Sequence, residues 1–320
     1  MNKKAKLLQA AAQPVEDLRA DNKRLSDLVE QQAKRIDELQ TKRAKTRVTK
    51  ARPAVKKGSF VRIVIPDTHG CYLDAAAARA FLADLSSLGS DVGEVVWLGD
   101  HVECGGFLSG HALGYVSEST YSYQDDLDAA NTLLDQVAER VPNAQQYYLD
   151  GNHERRVERW AMSQAQRHGH DAAYLLQCHG VASNLSLAKR GIEHFQQNKK
   201  HHGLQIPGTI KLGSCYFTHG ESTAKQAASV TLSQFGGNVV FGHVHRQHQA
   251  SAFLVNQGVI HAWCPGCLCE RQRMWQHTRP SQWNHGWALQ LVNPDGTFLH
   301  ISVPIIDGRS YLTQLTARIQ

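Results

Sequence analysis

At 320 residues, with 42% hydrophobic residues and a net charge of +6, the chain has room for one large domain and an appendage. No apolar run approaches bilayer length, so no membrane-spanning helix is expected, and the short apolar stretch 7–12 is broken by Pro14 and charge, so no secretory leader is expected. Seven scattered cysteines, an odd number, exclude a secreted disulfide framework, so the expected setting is the cytoplasm, in a bacterial or phage-encoded protein.

The charge is unevenly spread. Residues 1–58 carry 16 Lys and Arg against 7 Asp and Glu, a net of +9, which leaves 19 against 22, a net of −3, for the remainder. Within the first part, residues 15–42 read as an amphipathic helix with Val15, Asn22, Val29 and Ile36 at heptad position a and Leu18, Leu25, Gln32 and Leu39 at d. β-Branched residues at a with Leu at d favour a parallel dimer, and a single buried Asn at a fixes register. The expectation is a helical coiled-coil segment over 1–41 that forms a homodimer, although its e and g positions, which include Ser26, Leu28, Ala33 and Gln40, offer poor charge pairing. Lys42, Arg43, Lys45, Arg47, Lys50, Arg52, Lys56 and Lys57 follow with no acid among them, so 42–58 is a basic linker. Such a run either stays solvated or neutralises nucleic-acid phosphates and releases counterions.

The folded domain is expected over 59–320. Strand 60–66 ends in Asp67-Thr68-His69-Gly70, and helix 73–88 follows. Strand 94–98 ends in Gly99-Asp100-His101-Val102-Glu103, helix 124–140 comes next, and strand 145–149 ends in Asp150-Gly151-Asn152-His153-Glu154 ahead of a third helix. This alternation predicts a mostly parallel sheet with covering helices. Strand 215–217 leads to Thr218-His219-Gly220 and a small-residue helix, and strand 238–241 leads to Gly242-His243-Val244-His245. Alternating segments 249–255, 258–263, 286–292 and 297–304 predict an antiparallel set of strands closing the domain.

Five strand ends therefore carry metal-capable side chains: Asp67 with His69, Asp100, Asn152 with His153, His219, and His243 with His245. Ligands in open α/β sheets bind beyond the carboxyl ends of strands. Oxygen and imidazole donors suit Mn, Fe or Zn, and a carboxylate such as Asp100 can span two ions. The ordered series DTHG, GDHVE, GNHE, THG and GHVH resembles the calcineurin-like metallophosphoesterases over roughly residues 60–265.

That resemblance implies a four-layer α/β/β/α sandwich and two divalent ions, Mn2+ foremost. Asp67, His69, Asp100 and His245 would hold one ion, and Asp100, Asn152, His219 and His243 the other. His153 matches the family's non-ligand histidine, which assists the leaving group. The implied chemistry is in-line attack on phosphorus by a metal-bridging hydroxide. Glu103 stands where the family commonly has Asp and is expected to accept from the imidazole of His153. Cys104-Gly105 replaces the Arg-Gly of the phosphatase branch, so Arg155 or Arg156 is the substitute phosphate contact. The Cys264-Pro265-Gly266-Cys267-Leu268-Cys269 stretch reads as a packed turn rather than a zinc site, and Lys199-Lys200-His201-His202 as a polar loop. Trp263, Trp275, Trp283 and Trp287 read as packing residues, with base stacking as the alternative. The expected function is a phosphodiesterase or nuclease acting on nucleic acid. The alternatives are a phosphomonoesterase such as a protein Ser/Thr phosphatase, and a coiled-coil DNA-binding scaffold with a vestigial site.

Overall fold

The computed structural model describes residues 58–107, 121–272, 280–310 and 312, together with Lys23, Arg24, Asp27 and Gln31. The chain divides into two units, Met1–Val48 and Thr49–Gln320. In the first unit the four described residues are helical and exposed. They occupy heptad positions b, c, f and c; the seam of the expected coiled coil and the basic run 42–57 lie outside the described residues.

In the second unit, β1 (Phe60–Ile65), β2 (Val92–Trp97), β3 (Gln145–Leu149) and β4 (Glu193–Phe195) pair in parallel in that order. A second sheet holds β5 (Thr209–Leu212), β6 (Cys215–Thr218), β7 (Asn238–Phe241), β8 (Gln247–Leu254) and β9 (Gly258–Pro265), in the order β5-β6-β7-β9-β8. β10 (Gly286–Val292), β11 (Phe298–Ile306) and β12 (Arg309–Ser310) return to the first sheet and extend it beyond β1. The protein is thus a mixed α/β fold with two sheets.

Alternation along each strand sorts the side chains into three cores. Val61, Ile63 and Ile65 of β1 face a core shared with α1 (Ala75–Leu88) and α2 (Tyr123–Arg140). Val64 faces the other way, into a core between the sheets with Val96, Phe217 and Val240. Val239 and Phe241 of β7 point outward against α5 (Ala227–Phe235), the next long helix after α3 (Glu154–His168), α4 (Ala172–His179) and two four-residue helical turns. The layers therefore run helix, sheet, sheet, helix.

The helices obey local rules. Asp74 caps α1 by accepting from the amides of Ala76 and Ala77 at 2.9 and 2.8 Å. Ala77, Phe81 and Leu85 then recur on the buried face, and full burial of Phe81 and Leu85 contributes roughly 1.5–3 kcal/mol each. Ser122 caps α2 in the same manner. No helix among the described residues is long and apolar enough to cross a membrane.

One expectation is corrected. The four alternating segments near the carboxyl terminus do not form one antiparallel set: β8 and β9 belong to the second sheet, where β9 runs parallel to β7, while β10 and β11 belong to the first. The reason is which core each hairpin serves. Ile260, Ala262 and Cys264 of β9 pack on the α5 side, whereas Trp287 and Leu289 of β10 pack on the α1 side. Alternation shows that a strand has one buried face, but not which core that face joins.

Candidate metal centre

The loops after β1, β2, β3, β6 and β7 converge, and their backbones are unusual where they do. His69, Asp100, His243 and His245 all have positive φ, at 53°, 53°, 72° and 55°. Left-handed backbone is uncommon outside glycine and costs about 1–3 kcal/mol, so such residues persist where the surroundings over-determine them. Close approach is also built in: a Cβ on Gly151 would stand 2.1 Å from Asp100 Oδ1, and one on Gly70 would stand 1.8 Å from Asp126 Oδ1.

Donor atoms gather in four overlapping groups; His69 with Glu103 and His153, and His69 with His245 and Cys269, make two of them, and the other two share Asp100. Asp67, His69, Asp100 and His245 each present a ligand atom within 4.8 Å of the others, and so do Asp100, His219 and His243. Asp100 belongs to both. Asn152 joins the second group through Oδ1, which lies 3.0 Å from His219 Nε2. His219 Nε2 is 3.2 Å from Asp100 Oδ2, His245 Nε2 is 3.3 Å from Asp67 Oδ1, and the Nε2 atoms of His69 and His245 are 3.1 Å apart. Asp67, Asp100 and His219 are almost fully buried.

Burial alone would neutralise the carboxylates, but histidines reverse this. His245, and behind it His219, hold Asp67 at about 2 against its burial. Asp100 is likewise held well below its usual value, against burial, by His153 and His219. Conversely, burial works to lower His219, yet Asp100 and Asp67 raise it to about 10. Burial also opposes His245, which Cys269 and Asp67 raise to about 10. His69 is lowered to about 4 by burial and by His153, and His243 to about 4 by burial and by His219. Without metal, then, the carboxylates favour the charged form of both His219 and His245.

The donor set fits divalent ions. The two groups that share Asp100 are all nitrogen and oxygen, which suits Mn, Fe or Zn. With the imidazoles neutral, Asp67, Asp100 and Glu103 leave buried negative charge that only cations can match.

Glu103 does not serve the histidine the sequence assigns to it alone. Its Oε2 is 2.7 Å from His69 Nδ1 and 3.4 Å from His153 Nδ1, while the backbone carbonyl of Glu103 accepts from His153 Nδ1 at 3.0 Å. The two candidate phosphate contacts separate. Arg156 donates to the Glu103 carbonyl at 2.7 Å and to His153 Nε2 at 2.8 Å. Arg155 instead lines a cleft between α3 and α4 with Glu158, Gln177 and His194, and its Nε is buried without a partner.

Other residues singled out by the sequence scatter. His201 and His202 pack edge-on against Phe195 and join no metal-capable group among the described residues. Trp287 is in the α1 core, Trp263 stacks between His261 and His300, and Trp283 lies edge-on to His245 at 4.1 Å; Trp275 is outside the described residues.

Three residues behind the centre escaped sequence reasoning. Glu154, buried at the start of α3, accepts from the amides of Asp100 at 3.0 Å, His101 at 2.8 Å and Gly151 at 2.8 Å, and from the Tyr148 hydroxyl at 3.0 Å. Its place beside Asn152-His153 was the available signal. Asp126 of α2 accepts from the amides of Cys71, Glu103 and Cys104, which fixes the Glu103 loop. Nothing in the local sequence marks it. Cys269 is the third and meets His245.

No protein-family model matches the chain, and no curated protein does. Solved structures similar to it include a hypothetical protein, PH1004, from Pyrococcus horikoshii OT3, at 12% identity and a TM-score of 0.39, covering 81% of this chain and 92% of that one. Another is Vps29 from Chaetomium thermophilum, at 9% identity and a TM-score of 0.31, covering 76% and 96%. The functional reading rests on the site itself.

Proposed function

We propose that residues 59–320 form a metallophosphoesterase sandwich that hydrolyses phosphodiesters of nucleic acid with two divalent ions, Mn2+ foremost. The observation that carries this reading is the double membership of Asp100 in two adjoining groups of buried donors. Asp67, His69, Asp100 and His245 would hold one ion, and Asp100, Asn152, His219 and His243 the other. Bound ions supply Lewis acidity, activating water and neutralising phosphoryl oxygens.

The chain's own residues do the rest. His153 donates Nδ1–H to the Glu103 carbonyl, and its Nε2, which accepts from Arg156 in this structure, would carry a proton to the departing oxygen once Arg156 turns to the substrate. Arg156, in contact with Nε2, is placed to grip a phosphate oxygen. Glu154 holds the Asp100 backbone so that its carboxylate can serve both ions. The eight cations of 42–57 would tether the polyanion, and a coiled-coil dimer over 15–42 would present two such arms.

A phosphomonoesterase is the second reading, favoured by Arg156, whose guanidinium stands beside His153 although Cys104-Gly105 lacks the phosphatase arginine. A scaffold with a vestigial site is the weaker account, because buried acids and strained histidines carry a stability cost that a binding-only protein need not keep. The deciding test is a substrate panel with Mn2+: bis-p-nitrophenyl phosphate, single-stranded and duplex DNA, RNA, nucleotides and a phosphopeptide. Cleavage of the diester and of nucleic acid supports the proposal, and turnover of monoesters alone overturns it.

A further inference from the structure

Three imidazoles at the centre are held from behind. His69 Nδ1 meets Glu103 Oε2 at 2.7 Å, His219 Nδ1 meets the Leu98 carbonyl at 3.0 Å, and His153 Nδ1 meets the Glu103 carbonyl at 3.0 Å. In every case the rear nitrogen has a fixed acceptor, which selects the tautomer with its lone pair on Nε2. His245 follows the same pattern with an unusual partner: its Nδ1 faces Cys269 Sγ at 3.9 Å, within range for a sulfur acceptor.

The sulfur is not there by loose packing. Cys269 is fully buried, and its strand segment is stitched to the loop that carries Asp67 and His69. The Leu268 amide donates to the Asp67 carbonyl at 2.9 Å, and the Glu270 amide to the Tyr72 carbonyl at 2.8 Å. His285 Nε2 donates to the Cys269 carbonyl at 2.9 Å. Backbone on both sides thus fixes the thiol relative to the first group of donors. Cys267, two residues earlier and equally buried, meets the carbonyls of Cys269 and Asn284 and the Cys269 thiol, but not His245.

We infer that Cys269 is the positioning residue of His245: its sulfur accepts the Nδ1 proton and aims Nε2 at the metal, as Glu103 does for His69. This rests on the metal-centre reading above. It gives the last cysteine of the Cys264–Cys269 stretch a place behind the centre instead of in a zinc site of its own.

The test compares the full-length protein with Cys269→Val, which fills similar space without an acceptor, Cys269→Ser, which restores one, and Cys267→Val as a packing control. Affinity for Co2+ is measured by titration against a chelator, alongside the visible spectrum and the imidazole N–H resonances of the Zn2+ form. The expected result is a loss of about 10–100-fold in affinity for Cys269→Val, with recovery in Cys269→Ser and little change in Cys267→Val. The His245 Nδ1–H resonance should vanish in Cys269→Val alone. Equal losses in the two valine variants would reduce Cys269 to packing and overturn the inference. An intense sulfur-to-cobalt charge-transfer band that disappears with Cys269 would also overturn it, by making the thiolate a direct ligand. Failure of the unaltered protein to bind Co2+ would instead reject the metal-centre reading, and the inference with it.

Discussion

Glu103 and His69 are joined at 2.7 Å, carboxylate Oε2 to Nδ1, inside a pocket where neither side chain reaches solvent. The glutamate holds the imidazole with Nε2 directed at His245 and Asp100, and through its backbone carbonyl it also holds His153. One residue therefore orients a candidate ligand and the candidate proton donor. Replacing Glu103 with Gln should weaken divalent-metal affinity about 10–100-fold, as loss of an outer partner typically does. Competition with a calibrated chelator measures it. Unchanged affinity would remove Glu103 from the centre.

Proton linkage gives a second prediction. In the metal-free protein His219 and His245 sit at about 10, above their usual range, so both are protonated near neutrality. An ion must displace those protons. Affinity should then rise with pH through the neutral and mildly alkaline range, and binding should release protons into a weakly buffered solution, which an indicator dye reads directly. Metal binding without proton release would contradict the assignment.

The same shifts set the pH stability of the metal-free protein. A histidine raised on folding stabilises below its unfolded value of 6.5, and that contribution is lost as pH rises through about 10. Asp67, lowered to about 2, stabilises above its unfolded value of 3.8, and that contribution is lost as pH falls through about 2. Denaturant midpoints should therefore fall on the alkaline side as His219 and His245 deprotonate beside Asp67 and Asp100, and added divalent metal should restore them there. An alkaline midpoint insensitive to metal would count against this linkage.

Glu154 predicts a structural effect with a functional signature. Glu154→Ala would strand the amides of Asp100, His101 and Gly151, each buried donor costing roughly 1–3 kcal/mol when unmet. Thermal unfolding should show a large loss of stability, and metal affinity should fall with it because Asp100 is no longer held. Tolerance of this substitution would mean that water reaches the loop.

His153 separates chemistry from binding. His153→Ala should lower turnover by about 10²–10⁴-fold while leaving the bound metal in place, since His153 belongs to neither of the two groups that share Asp100, although its Nε2 stands 3.7 Å from Asp100 Oδ2. Metal analysis beside kinetics distinguishes this from loss of an ion.

Much of this site was legible in the sequence because strand ends recur. Each apolar run that stopped at Asp, Asn or His marked a loop at the same edge, and the structure brings Asp67, His69, Asp100, Asn152, His219, His243 and His245 together there. What stayed hidden depends on contacts across the fold. Asp126 lies in the first turn of α2 and reaches Glu103 through a backbone amide, a relationship no spacing encodes. Arg155 and Arg156 are neighbours, yet the turn of α3 sends one to His153 and the other to a separate cleft. The split of the last four strands between two sheets was likewise invisible, because alternation is the same in either.

The most direct measurement is turnover of bis-p-nitrophenyl phosphate by the metal-depleted full chain as Mn2+ is added, with Asp100→Asn in parallel. The account predicts no turnover without metal, a rise to a plateau at two ions per chain, and none in Asp100→Asn at any Mn2+ concentration. Turnover by the metal-depleted protein, or undiminished turnover in Asp100→Asn, would contradict it.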